Sequence, residues 1–270
     1  MIKTSPRTNA VQLILPLVGV IVFIGIWEVN CYFRLYNMVA PSLQPSAFPS
    51  FFEIAQQLSI LASSESFWEA VGITTTRTLS AFGIALVLGT FLGLVAGRIR
   101  LIDAVLSIPV EFFRNLPAVA IMPILMLFFG IGAAMKIALG IFGAVFPVFV
   151  AARLGIQNIG EEIHLAARFY GWSGWRLIFL VLLPAALPEI ASASQTALAI
   201  SLILAIMGEM LIGSDGLGSQ IVDAERTFNN LDLYALVLAL GILGSILSVA
   251  FRWAMSRIIY WKSSINWQKT

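Results

Sequence analysis

The chain has 270 residues, of which 59% are hydrophobic and 11% are charged, with a mean hydropathy of +0.94 and a formal net charge of +2. Soluble domains carry about 25% charged residues, so this composition excludes a soluble globular protein and predicts an all-α membrane protein with several spans. A single cysteine and a single histidine exclude an internal disulfide framework and a multi-cysteine or histidine-rich metal site. Nothing in the chain resembles a nucleic-acid-binding module.

The N-terminal part predicts a short tail, a first span and a short helix. Residues 1–10 are polar and are expected to form a tail, and residues 11–27 are an uncharged run. Roughly 17–25 apolar residues cross a bilayer, and no small-residue cleavage site precedes Glu28, so we expect a retained span rather than a cleaved signal. Residues 51–61 predict an amphipathic helix, and a place on the membrane surface and a place in an extramembrane loop fit it equally well.

Five further hydrophobic regions bring the prediction to about six transmembrane helices within one permease-like domain, residues 11–260, followed by a tail at 261–270. Four of these regions are continuous runs, at 78–96, 137–152, 190–212 and 233–251. The region 101–131 is broken by charged residues and prolines. Gly89, Gly93 and Gly97 have the spacing that allows close helix–helix approach, and we expect them to serve packing.

The distribution of lysine and arginine predicts the orientation. With the N-terminus in the cytoplasm and six crossings, most of the basic residues fall on the cytoplasmic side, including those of the C-terminal tail. The predicted outer side holds Arg34, Arg77, Lys136 and Arg226. Positive charge favours the cytoplasmic side, so both termini and the loop at 153–176 are predicted to be cytoplasmic.

The broken region carries a candidate substrate pathway. A charge inside a bilayer costs roughly 2.5–3.5 kcal/mol on insertion scales, so an intramembrane ionisable residue is a candidate functional residue. Glu111 and Arg114 lie three positions apart, where they are able to pair on one helical face. Alternatively, Arg114 with Asn115, or a half-helix N-terminus near Pro117, faces an anionic substrate. The sequence leaves both interpretations open.

A second candidate for the pathway is Glu209, followed by Met210, late in the fifth predicted span. Glu209 is expected either to line or gate the pathway or to pair with Arg77 or Arg114. Glu28 and Arg77 themselves are expected at the membrane interface.

The loop between the fourth and fifth predicted spans has the pattern of a short exposed helix followed by a fixed turn. Glu161 and Glu162 suit the first turn of a helix, where the helix dipole favours negative charge. Gly171 permits a sharp turn after the helix, and Trp172 marks the return to the membrane. The prolines at 184 and 188 are expected to kink the next helix. His164 in this loop is expected to contact solvent or a partner.

This loop resembles the Glu-Ala-Ala loop of bacterial ABC-importer permeases, in which Glu-Ala-Ala precedes three residues and Gly, then nine residues and Ile-x-Leu-Pro. Ala166-Ala167, Gly171, Val181 and Leu183-Pro184 stand at the matching positions. Leu165 replaces the glutamate of the pattern, which removes any salt bridge made there unless Glu161 or Glu162 substitutes.

Other segments resemble the nitrate, sulfonate, taurine and bicarbonate branch of the same permeases. They are Ala40-Pro-Ser-Leu-Gln-Pro-Ser, Arg114-Asn-Leu-Pro-Ala-Val-Ala, Phe128-Phe-Gly-Ile-Gly with Lys136-Ile-Ala, Glu209-Met210, and Gly216-Leu-Gly.

The resemblance implies a type I ABC-importer permease fold with a cytoplasmic coupling helix, in the bacterial inner membrane. It implies as partners a second permease copy, two cytoplasmic ATPase subunits and an extracytoplasmic substrate-binding protein. The residues that it implies for ATPase coupling are Glu161, Glu162, His164, Ala166, Ala167, Arg168, Gly171 and Trp172. The implied cargo is a small, anionic solute.

The chain has no catalytic set of its own and no Gly-x4-Gly-Lys-Ser/Thr phosphate loop, so ATP and Mg²⁺ are expected on a partner ATPase and no cofactor on this chain. A self-sufficient secondary transporter or channel is the main alternative. An intramembrane enzyme ranks below it because it would need a catalytic set.

Overall fold

The computed structural model describes residues 15, 18–19, 21–29, 31, 49–213 and 215–259. Within this part, every secondary-structure element is helical, which confirms the predicted all-α fold. The predicted tails at 1–10 and 261–270, the Pro-rich segment at 40–48 and part of the first predicted span lie outside the described residues.

The helices follow one another with short connections. Their bounds are α1 Phe51–Leu61, α2 Glu65–Arg98, α3 Arg100–Arg114, α4 Met122–Phe129, α5 Ala133–Gln157, α6 Glu161–Phe169, α7 Gly174–Leu177, α8 Leu183–Leu211, α9 Leu217–Arg226 and α10 Asn230–Ile258. A 3₁₀ turn at Ala118–Ile121 leads into α4, and a π-helical segment at Ile178–Leu182 joins α7 to α8.

Four helical segments of the described part are long and apolar enough to cross a membrane, namely α2, α5, Ile178–Leu211 and α10. A fifth crossing is formed if α3 and Ala118–Phe129, which are bent by 97° relative to each other, count as one span. The break in the third hydrophobic region is therefore confirmed. The predicted first span falls partly outside the described residues, so the total of six stays a prediction.

The long helices extend beyond the hydrophobic runs that predicted them. The second predicted span began at residue 78, but α2 begins at Glu65 and includes Thr74 and Arg77. Both of these polar residues are buried and hydrogen-bonded inside the protein. A satisfied polar side chain does not have to interrupt a helix within the membrane, so the polar stretch made the predicted span begin too late.

The described residues pack into two compact units, one within Met1–Phe67 and Ile221–Ala239 and the other within Trp68–Gln220 and Leu240–Thr270. In the first unit, α1 has the predicted bounds and begins with a capping box between Ser50 and Glu53. Glu28, predicted to lie at the interface, accepts a hydrogen bond from the Phe51 backbone N–H at 2.8 Å. The Trp27 indole donates to the Pro49 carbonyl oxygen.

The core of the second unit is built from small side chains on α2, α5 and α8. Ala85, Ala144 and Ala186 have no exposed surface. A Cβ atom added to Gly93 would lie 2.5 Å from the carbonyl oxygen of Phe149, and Gly89 and Gly97 face the backbone of α5 in the same way. The predicted packing role of these glycines is confirmed, since the absent side chains let the two helices approach.

The prolines of the fifth span occur next to a local change of helix type. Pro184 lies in the first turn of α8, directly after the π-helical segment, and Pro188 lies inside α8. Proline lacks the N–H that an α-helical turn requires, and π turns occur where the regular hydrogen-bond ladder is interrupted. The π-helical segment interrupts the regular ladder just before these prolines, and the kink at Pro184 and Pro188 stays a prediction.

Candidate functional site

The first candidate site is the short helix α6 with the turn that follows it. Glu161 and Glu162 lie in its first turn, as predicted. The helix ends in a Schellman-type turn, in which the Trp172 backbone N–H donates to the Ala167 carbonyl oxygen at 2.9 Å. Gly171 has a φ of +72°, a left-handed conformation that glycine adopts without the steric cost of a side chain. The predicted sharp turn is thus present at the predicted glycine.

The two alanines of the motif differ in burial. Ala167 is 3% exposed and packs into the core of the second unit together with Leu177 and Leu182, whereas Ala166 is exposed. Ala167 therefore anchors α6 to its own chain. The side chain of Arg168 lies outside the described part.

An exposed apolar surface lies on α6 and on the residue that follows it. We call it the α6 surface and define it as Ile163, Leu165, Phe169 and Tyr170. Phe169 is 90% exposed and its ring meets that of Tyr170 edge to face. Leu165, at the position of the motif glutamate, is also exposed. An exposed cluster of large apolar side chains next to a rigid turn is typical of a protein-binding surface.

His164 is half-buried, and its Nδ1 lies 3.4 Å from the carbonyl oxygen of Gly160, one turn earlier in the chain. The single histidine of the chain is thus placed on α6, at the base of the α6 surface. Nothing in its surroundings assigns it a chemical role.

The second candidate site is the bend between α3 and α4. Arg114 Nε lies 3.0 Å from Glu111 Oε2, and Nη2 of the same side chain lies 3.0 Å from Glu111 Oε1. Asn115 Nδ2 donates to the backbone carbonyl oxygen of Glu111 at 2.7 Å. The predicted pair is present, and both charged side chains are exposed. Pro117, also exposed, immediately precedes the 3₁₀ turn.

A cavity of about 680 Å³ lies beside this bend, between α3, α5 and α8. Arg114 and Asn115 contribute its polar groups, and Phe113, Phe142 and Phe146 form an edge-to-face series along its wall. Arg114 is the one charged residue in this lining. The structure thus places a positive group at an open, largely apolar cavity.

The third site is an ionic cluster in the second unit, which we define as Thr74, Arg77, Lys136, Glu209 and Asp215. Arg77 Nη1 donates to Glu209 Oε1 at 2.9 Å, and Thr74 Oγ1 donates to Glu209 Oε2 at the same distance. Glu209 has no exposed surface. Of the two roles predicted for Glu209, the geometry therefore favours pairing with Arg77. Arg77 was predicted to lie at the membrane interface, and the structure adds that its guanidinium is buried in this pair.

Glu209 also organises the connection between α8 and α9. The Gly218 backbone N–H donates to Glu209 Oε2 at 3.0 Å, so the carboxylate caps the positive end of α9. A Cβ atom added to Gly216, whose φ is +91°, would lie 2.4 Å from the same carboxylate. The Glu209-Met210 motif and the Gly216-Leu217-Gly218 motif are therefore in direct contact through the Glu209 carboxylate. Met210 is half-buried beside it.

Asp215 completes the ionic cluster and was missed by the sequence analysis. One carboxylate oxygen accepts from Arg77 Nη2, and the other accepts from Lys136 Nζ at 2.9 Å. Burial raises the pKa of Asp215, but the hydrogen bonds from Arg77 and Lys136 outweigh this, so the pKa lies below its ordinary value. Lys136 was predicted to be a basic residue of the outer side, yet it is 2% exposed.

Comparison with known proteins places the chain among membrane transport components. A sequence model described as "binding-protein-dependent transport system inner membrane component" matches residues 85–259. A probable ABC transporter permease protein of Haemophilus influenzae is 31% identical over 93% of this chain and 98% of its own length. The putative aliphatic sulfonates transport permease protein SsuC of Escherichia coli is 33% identical over 70% of this chain and 72% of its own. The bicarbonate transport system permease protein CmpB of Synechococcus elongatus is 25% identical over 92% and 90%.

Solved structures share the fold. A bacterial alginate ABC transporter chain superposes with a TM-score of 0.59, at 16% identity, over 93% of this chain and 97% of its own. A chain of an amino acid ABC transporter gives a TM-score of 0.58, at 19% identity, over 78% and 98%.

Proposed function

Because this chain belongs to the family of binding-protein-dependent transport system inner membrane components, and is thus a permease subunit of an ABC importer, we propose that it forms the pathway for a small anionic solute. In this proposal, a separate ATPase supplies the energy and binds ATP and Mg²⁺. The permease itself makes and breaks no covalent bond. It works by alternating access, in which each state is favoured by its own contacts.

The observation that carries the coupling part of the proposal is the α6 surface. Four large apolar side chains are exposed on α6 and on the residue that follows it, and the helix is fixed in the core through Ala167. The sequence has no phosphate-binding loop. A partner that binds nucleotide is therefore needed, and α6, within the loop at 153–176, offers it a rigid apolar contact. The residues that we propose for ATPase coupling are Glu161, Glu162, His164, Ala166, Ala167, Arg168, Gly171 and Trp172. In this set Ala167 anchors α6 in the core, and the exposed members contact the ATPase together with the α6 surface.

The path from α6 into the membrane is continuous. α7, the π-helical segment and α8 follow the Gly171 turn without a break in the helical chain. Helices rise 1.5 Å per residue, so the 26 steps from Leu183 to Glu209 span about 39 Å. A shift of α6 is thus transmitted along one helix to the ionic cluster at its other end.

The anionic character of the solute is supported by Arg114 at the α3–α4 bend. Its guanidinium is partly exposed at a cavity whose lining contains no other charged residue, and Glu111 pairs with it from outside that lining. The printed names of relatives mention sulfonates, taurine, bicarbonate and nitrate, all of them small anions or zwitterions with an anionic group. We propose that Glu111, Arg114, Asn115 and Pro117 line the pathway, and that Met210 lies at its far end.

We propose the assembly that the family implies: two copies of this permease, two cytoplasmic ATPase subunits and an extracytoplasmic substrate-binding protein, in the bacterial inner membrane. One of the solved relatives is described in complex with a substrate-bound periplasmic protein. The bias of basic residues supports cytoplasmic termini and a cytoplasmic α6.

The test is ATP hydrolysis by the chain reconstituted in nanodiscs with its partner ATPase, comparing Phe169→Ala with Phe228→Ala. The two phenylalanines are similarly exposed, at 90% and 86%, but only Phe169 belongs to the α6 surface. We expect Phe169→Ala to weaken ATPase association and to lower coupled turnover at least tenfold, and Phe228→Ala to behave as wild type. Failure of any ATPase to associate with the wild type would instead favour a self-sufficient transporter.

The solute is tested separately by uptake of taurine, nitrate and bicarbonate into proteoliposomes that contain the complete assembly. Arg114→Gln keeps a polar side chain that is able to donate hydrogen bonds, although a shorter one, and it removes the charge. We expect it to slow uptake of the preferred anion while leaving assembly unchanged. Equal uptake by wild type and variant would exclude Arg114 from the pathway.

A further inference from the structure

The ionic cluster contains two buried cations whose shared ligand comes from a partly exposed loop. Arg77 and Lys136 are both buried, whereas the side chain of Asp215 is 39% exposed. Asp215 lies between α8 and α9, outside every helix of the described part. The cations are therefore fixed parts of the helical core, and the carboxylate that bridges them reaches in from the surface.

The two carboxylates of the ionic cluster have different roles. Glu209 is held by Arg77, by the Thr74 hydroxyl and by the Gly218 backbone N–H, and it is closed off from the surface. Asp215 makes its side-chain hydrogen bonds to the two cations, one through each oxygen. Glu209 thus resembles a structural counter-ion, and Asp215 resembles a ligand bound in a site.

The cation site is built independently of Asp215. Lys136 reaches it from the first turn of α5, and its stem passes over Gly208, where an added Cβ atom would lie 3.2 Å from Lys136 Cγ. Glu209 holds the guanidinium of Arg77 from the other side. Arg77 is therefore held by Glu209, and the stem of Lys136 by the helical core, without the Asp215 side chain.

We propose that Arg77 and Lys136 form a binding site for a small oxyanion, and that Asp215 occupies this site as a tethered ligand. The arrangement, with two oxygens of one group each facing a different cation, is the one that formate, bicarbonate, nitrate or a sulfonate head group offers equally well. Without Asp215, Lys136 loses the one carboxylate that pairs with it in the described part of the chain. The site would then hold two buried cations against Glu209 alone, and an external oxyanion would restore the balance.

The oxyanion site depends on the charges of Arg77 and Lys136 and not on which solute the transporter carries. A failure of ATPase coupling would leave it unaffected, because its test uses the permease alone. It adds to the proposed pathway a second anion site, at the opposite end of α8 from α6.

The test is chemical rescue of Asp215→Ala in the purified full chain, with formate and nitrate as probes and chloride at equal ionic strength as the reference. We expect the variant to have a lower Tm than wild type in chloride, and formate or nitrate at tens of millimolar to raise it by about 3 °C or more. Wild type should respond much less, because the Asp215 carboxylate already occupies both cations.

Two further variants make the result specific. Asp223→Ala removes an exposed aspartate of α9 and is the matched control, and it should show no rescue. Asp215→Ala combined with Lys136→Met removes one of the cations and should also lose the rescue. If Asp215→Ala responds to oxyanions no more than Asp223→Ala does, the proposal is overturned. If Asp215→Ala does not fold in chloride, recovery of folded protein in formate supports the site, and no recovery in any anion overturns it.

Discussion

Arg77 and Glu209 are 132 positions apart in the sequence, and their side chains meet at 2.9 Å in the interior of the second unit. The pair joins α2 to the C-terminal end of α8, and neither side chain reaches the surface to any extent. Because the Glu209 carboxylate also caps α9, this contact fixes three helices relative to one another. The pair therefore stabilises the packing of these helices. The sequence had made Arg77 a candidate for the membrane interface and Glu209 a candidate for the pathway or for pairing.

Replacing Glu209 with alanine should destabilise the protein strongly. The change leaves the buried Arg77 without one of its two partners and removes the cap of α9, and breaking a buried ion pair from one side costs about 3–5 kcal/mol. Thermal or denaturant unfolding of the purified chain in detergent measures the loss. Glu225→Ala, at an exposed position of α9, is the control and should change stability by no more than about 0.5 kcal/mol. Similar stabilities of the two variants would contradict the structural role of Glu209.

The contact between α2 and α5 predicts a difference between two glycines of the same helix. A Cβ atom at Gly93 would lie 2.5 Å from the Phe149 carbonyl oxygen and 2.6 Å from the Ala152 side chain, whereas one at Gly83 meets nothing within 4 Å. We expect Gly93→Ala to separate the helices and to lower stability by about 1–3 kcal/mol. Gly83→Ala should be neutral or slightly stabilising, because alanine favours the helix. Thermal or denaturant unfolding of the two variants measures the difference. Equal changes in the free energy of unfolding would exclude close packing at Gly93.

Local features of this fold were predictable because their signals lie within a few residues of each other. The bounds of α1 agree with its amphipathic pattern, and the acidic start and Gly171 end of α6 follow from helix-end chemistry. The break after α3 follows from Pro117 and the charges before it. In each case the same short stretch carries both the pattern and its cause.

Pairing of Arg77 with Glu209 was one of the predicted alternatives, but the contacts of the ionic cluster with Lys136 and Asp215 were not predictable, because these partners are distant in the chain. Lys136 and Asp215 are 79 positions apart, and each by itself has the pattern of a solvated residue at the end of a span. The polar run at Thr74–Arg77 delayed the start of the predicted second span for the same reason. A single sequence shows that such charges exist, and only the packed helices show which of them neutralise each other.

The stability of the protein should depend on pH through Asp215. Its pKa in the folded protein lies below the ordinary value, so the ionised form contributes stability above the ordinary aspartate pKa, and this contribution is lost as the pH falls through the lowered one. We therefore expect the Tm of the wild type to fall between about pH 5 and pH 2 more steeply than that of Asp215→Asn, which has no such proton to bind. Parallel Tm–pH curves would show that Asp215 is not ionised in a paired state.

The turn after α6 should be needed for coupling and not merely for folding. Gly171 has a φ of +72° and an added Cβ atom meets nothing within 4 Å, so alanine fits sterically but must adopt the left-handed conformation, at about 1–2 kcal/mol. An energy of this size shifts the population of the correct turn about 5–30-fold, and we expect coupled ATP hydrolysis to fall by a similar factor. Gly160→Ala is the control, because Gly160 has equal space and is not in the left-handed region. Nanodisc ATPase assays with the partner subunit measure both variants, while their Tm values report on folding. A loss of hydrolysis matched by Gly160→Ala, or none in Gly171→Ala, would show that the turn does not transmit the movement of α6.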